Sequence, residues 1–284
     1  MSAPVSTQSL HEPQALAAGL AARLRPLPID PERAAWLQRR VIERVRRSAA
    51  AQRDLITVRR EDGAWATVGP GVRRRALHAT DAMSIDLFML DAGAPLAWPH
   101  DAAAQEILVV AGTLALAARA AEPIRLDPLS QIVRAREDVA GLTAGAAGAT
   151  VYVRRRRVEL DRLPAAEAQW WAQAQCAGTA PAGPGRRWAR VGEGTEATVL
   201  HAHGRVASML IRLGPWATLP DHSHSLDEDC YMLEGDIFLG DLLVRAGDYQ
   251  LARAGGRHVG VVSEDGGLFY FHGAVPGCAS GEPR

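Results

Sequence analysis

Short apolar or alternating runs recur along most of this chain. One stretch holds SIDLFML, EILVVAGTLAL and ATVYVR, and a later one holds ASMLIRL, DCYMLEGDIFL and LFYFHG. Glycine, proline and aspartate punctuate them. Many short strands at regular spacing predict a sandwich or a small barrel. The helical pattern lies outside these stretches. Asp30-Pro31-Glu32 reads as an N-cap, a proline at the first helical position and an acidic first turn. Ala34, Leu37, Val41 and Val45 then share one apolar face up to about Ser48. A second short helix is expected from Pro164 to about Cys176, followed by a linker, GTAPAGPG (178–185).

The β stretches repeat. WATVGPGVRRRALH from Trp65 is similar to WARVGEGTEATVLH from Trp188, an offset of 188 − 65 = 123 residues. At that offset Trp65, Val68, Gly69, Gly71, Leu77 and His78 fall on Trp188, Val191, Gly192, Gly194, Leu200 and His201. Leu90, Ala94, Leu96 and Gly112 fall on Leu213, Ala217, Leu219 and Gly235 without a gap. Self-similarity at a fixed period marks two copies of one structural unit. The division expected is an N-terminal helical arm (1–55), a first β unit (56–160), a helix and linker (161–185) and a second β unit (186–284).

Composition sharpens this picture mainly by what is missing. The 284 residues are 48% hydrophobic, with 32 basic and 32 acidic side chains. A net charge of zero gives no global field toward nucleic acid or an anionic membrane. There is no lysine and no asparagine, so every basic residue is arginine. Schiff-base and phosphate-loop lysine chemistry are thereby excluded. Both residues have AT-rich codons, which points to a GC-rich bacterial genome. Cys176, Cys230 and Cys278 show no paired spacing, as expected of a reducing compartment. No signal peptide or membrane-length apolar run is apparent, so a cytoplasmic protein is expected.

The chemistry concentrates in DHSHSLDEDCYMLEG (221–235). His222 and His224 are two apart and would share one face of a strand. Glu228 follows after three residues. Downstream, His258 lies eleven residues after Gly247 and three after Gly255. Three imidazoles and a carboxylate converging inside a barrel suit one divalent transition metal, whether Fe, Zn, Mn or Ni. Cys230 and Met232 alternate in phase with Glu228 and would line the pocket beside it. Tyr249 and His272 are the candidate proton donors or bases. Asp227 and Asp229 are expected at the rim or in solvent.

These residues resemble the cupin family. Its first motif is a glycine, then His-x-His, three or four residues, Glu, six residues and Gly, which His222, His224, Glu228 and Gly235 fit. Trp216 stands where the leading glycine is expected. In the second motif Gly247, Gly255 and His258 fit, whereas Arg253 replaces a proline and Val262 an asparagine. The resemblance implies an all-β architecture of two tandem cupin barrels (double-stranded β-helix, or jelly-roll), with a short N-terminal helical arm. The first unit carries Pro99, Asp101 and Gln105 at the ligand positions. It therefore reads as a degenerate cupin without this metal.

More narrowly, LEGDIF and the turn Asp91-Ala92-Gly93-Ala94 resemble the cupin part of ChrR-type anti-sigma factors. The helical segment 16–45 resembles the connector that precedes it. No cysteine precedes Cys176, so the His-x3-Cys-x2-Cys zinc signature of such proteins is missing. That argues against a sigma factor as partner.

Two functions are expected. One is a mononuclear non-heme metal enzyme, such as a dioxygenase acting on a small organic molecule. The other is a sensor or regulatory module responding to oxidant or ligand. A homodimer through sheet edges is a further expected partner mode, while nucleic acid and membrane are not expected. His201 and His203 form a second His-x-His and are expected to be structural. Arg154 to Arg157 are expected on a solvated edge that discourages strand pairing.

Overall fold

The structure, a computed structural model, describes residues 29–97, 102–117, 122–135, 141–177, 179–180 and 186–275. Residues 1–49 and 50–284 form two separate units. In the first, α1 (Pro31–Ala51) begins where its signals predict. The Arg33 N–H donates to the Asp30 carboxylate at 3.1 Å, the N-cap bond. The helix runs three residues past Ser48, carried by Ala49, Ala50 and Ala51.

The second unit opens with β1 (Leu55–Val58). The first repeat comprises β2 (Ala66–Gly69), β3 (Val72–Ala79), β4 (Met83–Leu90), β5 (Ala104–Leu116), β6 (Ile124–Leu126), β7 (Gln131–Ala135) and β8 (Leu142–Arg156). A 3-10 turn and α2 (Ala165–Ala177) lead to β9 (Thr179–Ala180). The second repeat begins with β10 (Ala189–Gly192), β11 (Thr195–His203), β12 (Val206–Leu213), β13 (Thr218–Leu219) and β14 (His222–Ser223). It continues through β15 (Glu228–Leu239), β16 (Leu242–Arg245), β17 (Tyr249–Ala252), β18 (Arg257–His258), β19 (Val261–Val262) and β20 (Gly267–Ala274). All described pairings are antiparallel, as expected of two jelly-roll barrels.

The repeat is visible in the irregularities of the ladders. Bulges fall at Thr67/Gly69, Ala76/His78 and Val109/Ala111 in the first copy. Their counterparts, each 123 residues on, fall at Arg190/Gly192, Val199/His201 and Met232/Glu234. Gly112 and Gly235 hold positive φ at equivalent crossings, where a Cβ would collide with the carbonyls of Gly148 and Gly266. Gly93 (φ 72°) is matched by Trp216 (φ 62°). The second copy thus keeps a left-handed turn without the residue that adopts it freely.

Two strands cross between the repeats. β1 precedes the first repeat, yet it pairs with β17 in the sheet of the second, Thr57 lying opposite Gln250. Within the expected linker, β9 pairs with β7 of the first repeat. The boundary expected between residues 55 and 56 falls inside β1, whose partner strand lies in the second repeat.

Separate apolar clusters fill the two barrels. Phe88, Ile107, Val109, Leu114 and Val151 lie in the first, and Met232, Ile237, Val244, Phe269 and Phe271 in the second. A third cluster joins the barrels face to face. Leu77, Leu87, Leu108 and Tyr152 there meet Leu210, Tyr231, Tyr249 and Tyr270. Tyr152 stacks on Tyr231 and Tyr270 at centroid separations of 5.6 and 5.1 Å.

A buried polar network crosses the same interface and corrects two expectations. Arg154, Arg155 and Arg156 are buried, because β8 runs between β4 and β5 in the sheet interior rather than along an edge. Only Arg157 is exposed. Arg154 of the first barrel bonds Asp229 of the second at 3.1 Å and Glu167 of α2 at 3.3 Å, with Glu106 at 3.9 Å. Asp229 is therefore neither at the rim nor in solvent. Ser208 and Tyr270 each donate to Glu106 at 2.6 Å.

Candidate metal centre

Four side chains expected to be ligands converge in the second barrel. His222 comes from β14, His258 from its partner strand β18, Glu228 from the start of β15, and His224 from the turn between β14 and β15. One donor atom from each lies within 4.8 Å of all the others. His224, Glu228 and His258 are buried and His222 is partly exposed. Among the described residues no other cluster of this kind occurs.

The ring geometry tests whether a metal fits. The imidazole centroids lie 5.1, 5.3 and 4.6 Å apart and their planes are inclined by 74°, 65° and 82°. With metal–nitrogen bonds of about 2.1 Å, each ring centre lies about 3.2 Å from a shared ion. Two such centres would be about 4.6 Å apart at a right angle and about 5.2 Å apart at the tetrahedral angle. The observed separations span this range.

The hydrogen bonds leave donors for an ion. His222 Nδ1 bonds the Pro220 carbonyl at 2.8 Å, which turns its other nitrogen toward the cluster. His224 Nδ1 bonds the Glu228 carboxylate at 2.9 Å. His224 Nε2 and His258 Nδ1 are buried with no hydrogen-bond partner among the described residues. Buried polar atoms are seldom left so. Burial pushes the Glu228 carboxyl up, but the hydrogen bonds and charge of His224 and His258 outweigh it and hold it near 2. Glu228 is therefore ionised and ready to ligate.

Three of the four, His222, Glu228 and His258, line a cavity of about 400 Å³. Cys230 and Met232 line it beside Glu228, as alternation predicts. Burial first, and then the negative charge of Glu228 and Asp229, push the Cys230 thiol well up, so it stays protonated. Gln250, Met209, Ile211, Phe269 and Phe271 also line the wall, and the sequence reading missed them. Their signal was present, since Met209 and Ile211 are two apart in one run and Phe269 and Phe271 in another.

Tyr249 and His272 do not line this cavity. The strand ladders place Tyr249 opposite Tyr231 and His272 opposite Asp229, on the face that meets the first barrel. Tyr249 donates to Asp229, and His272 bonds Ser208 at 2.9 Å and Glu167 at 3.0 Å. Burial and then the Asp229 charge push the Tyr249 hydroxyl well above its ordinary value. Both side chains belong to the inter-barrel network, not to the centre. His201 also lies outside the cavity, its ring 5.4 Å from that of Trp170.

The first barrel fills the equivalent place differently. Pro99, His100 and Asp101 lie outside the described residues. Gln105, the counterpart of Glu228, is buried and lies opposite Arg155. Arg155 pairs with Ser84 as Gly273 pairs with Ala207, the two partners being 123 residues apart. In the second barrel, a Cβ on Gly273 would stand 3.1 Å from Glu228. In the first, the Arg155 guanidinium occupies this region. It pairs with Asp86 at 3.2 Å and stacks on Phe88 at 4.6 Å. The first barrel thus carries an organic cation where the second carries a ligand set.

Residues 185–276 match the family model described as ChrR cupin-like domain. Among curated proteins none matches the chain. Solved structures share the fold. One is a candidate dioxygenase from Nostoc punctiforme PCC 73102, with TM-score 0.60 and 14% identity, covering 82% of this chain and 88% of that one. Protein Ylba from E. coli gives TM-score 0.56 at 11% identity over 81% and 93%. Oxalate decarboxylase from Bacillus subtilis gives 0.52 at 14% identity over 77% and 76%, and Mn(II) centres are described in that enzyme. The architecture is therefore that of a tandem cupin, and the second barrel is ChrR-like.

Proposed function

We propose that the second barrel is a mononuclear centre for one divalent transition metal per chain, and that it acts on a small organic molecule as a dioxygenase-type enzyme. The observation that carries this reading is the cluster of His222, His224, Glu228 and His258 in the wall of a cavity of about 400 Å³. When bound, the metal supplies Lewis acidity and, as Fe(II), the capacity to activate dioxygen. The chain's own contribution is to hold three imidazoles and one ionised carboxylate in a water-poor pocket. His222 is oriented by the Pro220 carbonyl and His224 by Glu228.

A second reading has its own support, because the family match is to a ChrR cupin-like domain. In it the same cavity senses a ligand and reports to a partner protein without turnover.

Metal analysis of the purified chain, with oxygen-uptake assays on diketones, flavonols and thiols, tests both. About one metal per chain is expected, absent in His258→Ala. Oxygen uptake supports the enzyme. Metal retained without uptake supports the sensor. Unchanged metal in the variant overturns the centre.

A further inference from the structure

We infer that the cavity of the second barrel takes an uncharged, largely apolar molecule with one oxygen-based chelating group, and turns away small polyanions such as oxalate; this rests on the metal centre proposed above. The argument is the chemistry of the wall. Apolar side chains form most of it, Met209, Ile211, Met232, Val261, Phe269 and Phe271 among them. Among the described residues no cationic side chain lines it. Arg257, beside the cluster on β18, is exposed outside the cavity and stands 3.6 Å from Asp221. The ionised groups on the wall, Asp221 and Glu228, are anionic. A divalent metal with Glu228 would present one net positive charge, so a dicarboxylate would keep a second charge stripped of water with no guanidinium on the wall to meet it, and stripping a charge of water is costly unless it is paired. An apolar body instead gains in proportion to the surface it removes from water.

One polar handle faces the cavity away from the ligands. Gln250 is buried, and its carboxamide's closest described partner is Thr57 Oγ1 at 3.5 Å. That is too long for a strong hydrogen bond. The amide is therefore placed to bond a carbonyl or hydroxyl of the bound molecule and to set its orientation. The first barrel provides the contrast, since its cavity of about 370 Å³, lined by Phe88 and Leu96 at the positions equivalent to Ile211 and Leu219, carries the guanidinium of Arg155 in its wall.

The test is calorimetric titration of the full chain, loaded with Zn(II), using probes that share a chelating head or differ in charge. Benzohydroxamate is expected to bind at least tenfold more tightly than acetohydroxamate, and oxalate more weakly than either. Ile211→Arg, at a partly exposed wall position, is expected to retain the metal and raise oxalate affinity at least tenfold. Gln250→Leu is expected to weaken benzohydroxamate severalfold with the metal content unchanged. Equal affinity for the two hydroxamates, or tighter binding of oxalate to the unmodified protein, overturns the inference. Failure of the metal centre is told apart by titrating metal-free protein with indole and following the methyl resonances of Met209 and Met232. Shifts without metal binding keep the cavity and sink the centre. Metal binding without shifts sinks the cavity assignment.

Discussion

Replacing Arg154 by Met removes one guanidinium and leaves Asp229, Glu167 and Glu106 facing each other inside the protein. The first two bond it at 3.1 and 3.3 Å, and Glu106 stands at 3.9 Å. All three carboxylates are buried. Breaking a buried ion pair from one side costs about 3–5 kcal/mol, mostly from the charge left behind. At about 2–4 °C per kcal/mol for a chain of this size, the melting temperature should fall by roughly 6–20 °C at pH 7. The loss should also depend on pH in a defined direction. Burial pushes the Glu167 carboxyl up, but Arg154 and His272 outweigh it and hold it well below its ordinary value. A carboxyl depressed in the folded state contributes stability above its unfolded pKa, and this is lost as pH falls through the folded value. Without Arg154 that contribution disappears, so the gap between the two proteins should narrow as pH drops below about 4. Thermal and urea unfolding at pH 7 and at about pH 3 measure it. A loss under about 1 kcal/mol, or a gap that does not change with pH, refutes the reasoning.

Three other outcomes are expected. Gly273→Ala places a Cβ 3.1 Å from Glu228 Cγ and 3.2 Å from Phe271, and should weaken metal affinity by about 10–100-fold in a chelator competition while the fold persists. Trp216→Gly relieves a left-handed backbone at a residue 71% exposed, and should raise the urea midpoint by about 1 kcal/mol of stability; a lower midpoint would show that the indole packs in solution. In a background lacking Cys176 and Cys278, Cys230 should react with a thiol reagent at pH 8 at least ten times more slowly in the folded chain than after unfolding, because its thiol stays protonated; equal rates would show a reactive thiol.

The sequence disclosed the repeat, the ligand set and the alternation of Cys230 and Met232, because each depends on local spacing. What it hid depends on register and docking. Tyr249 and Gln250 are neighbours, yet only the ladder with β15 shows that Gln250 faces the cavity and Tyr249 the first barrel. His272 was misplaced for the same reason, lying opposite Asp229 rather than Glu228. Arg154 to Arg156 read as a wet edge because four charges in a row seldom enter an interior. The partners of Arg154 come from α2 and from the other barrel, and that of Arg155 from the neighbouring strand β4, which no local pattern reveals. The placement of β1 in the second barrel is likewise a contact between distant segments.

That placement constrains how the molecule can be made and how it can change. Thr57 and Gln250 are 193 residues apart, so the sheet holding the metal centre closes only after nearly the whole chain has left the ribosome. Until then the segment before the first barrel waits for a neighbour that does not yet exist. The reciprocal use of β9 ties the first barrel to the segment that follows it. A gene that arose by doubling one unit has in this way lost the option of returning to one. Deleting the first copy together with the segment that leads into it strips β1 from the second, so the barrel with the ligand set depends on chain that precedes the barrel without it.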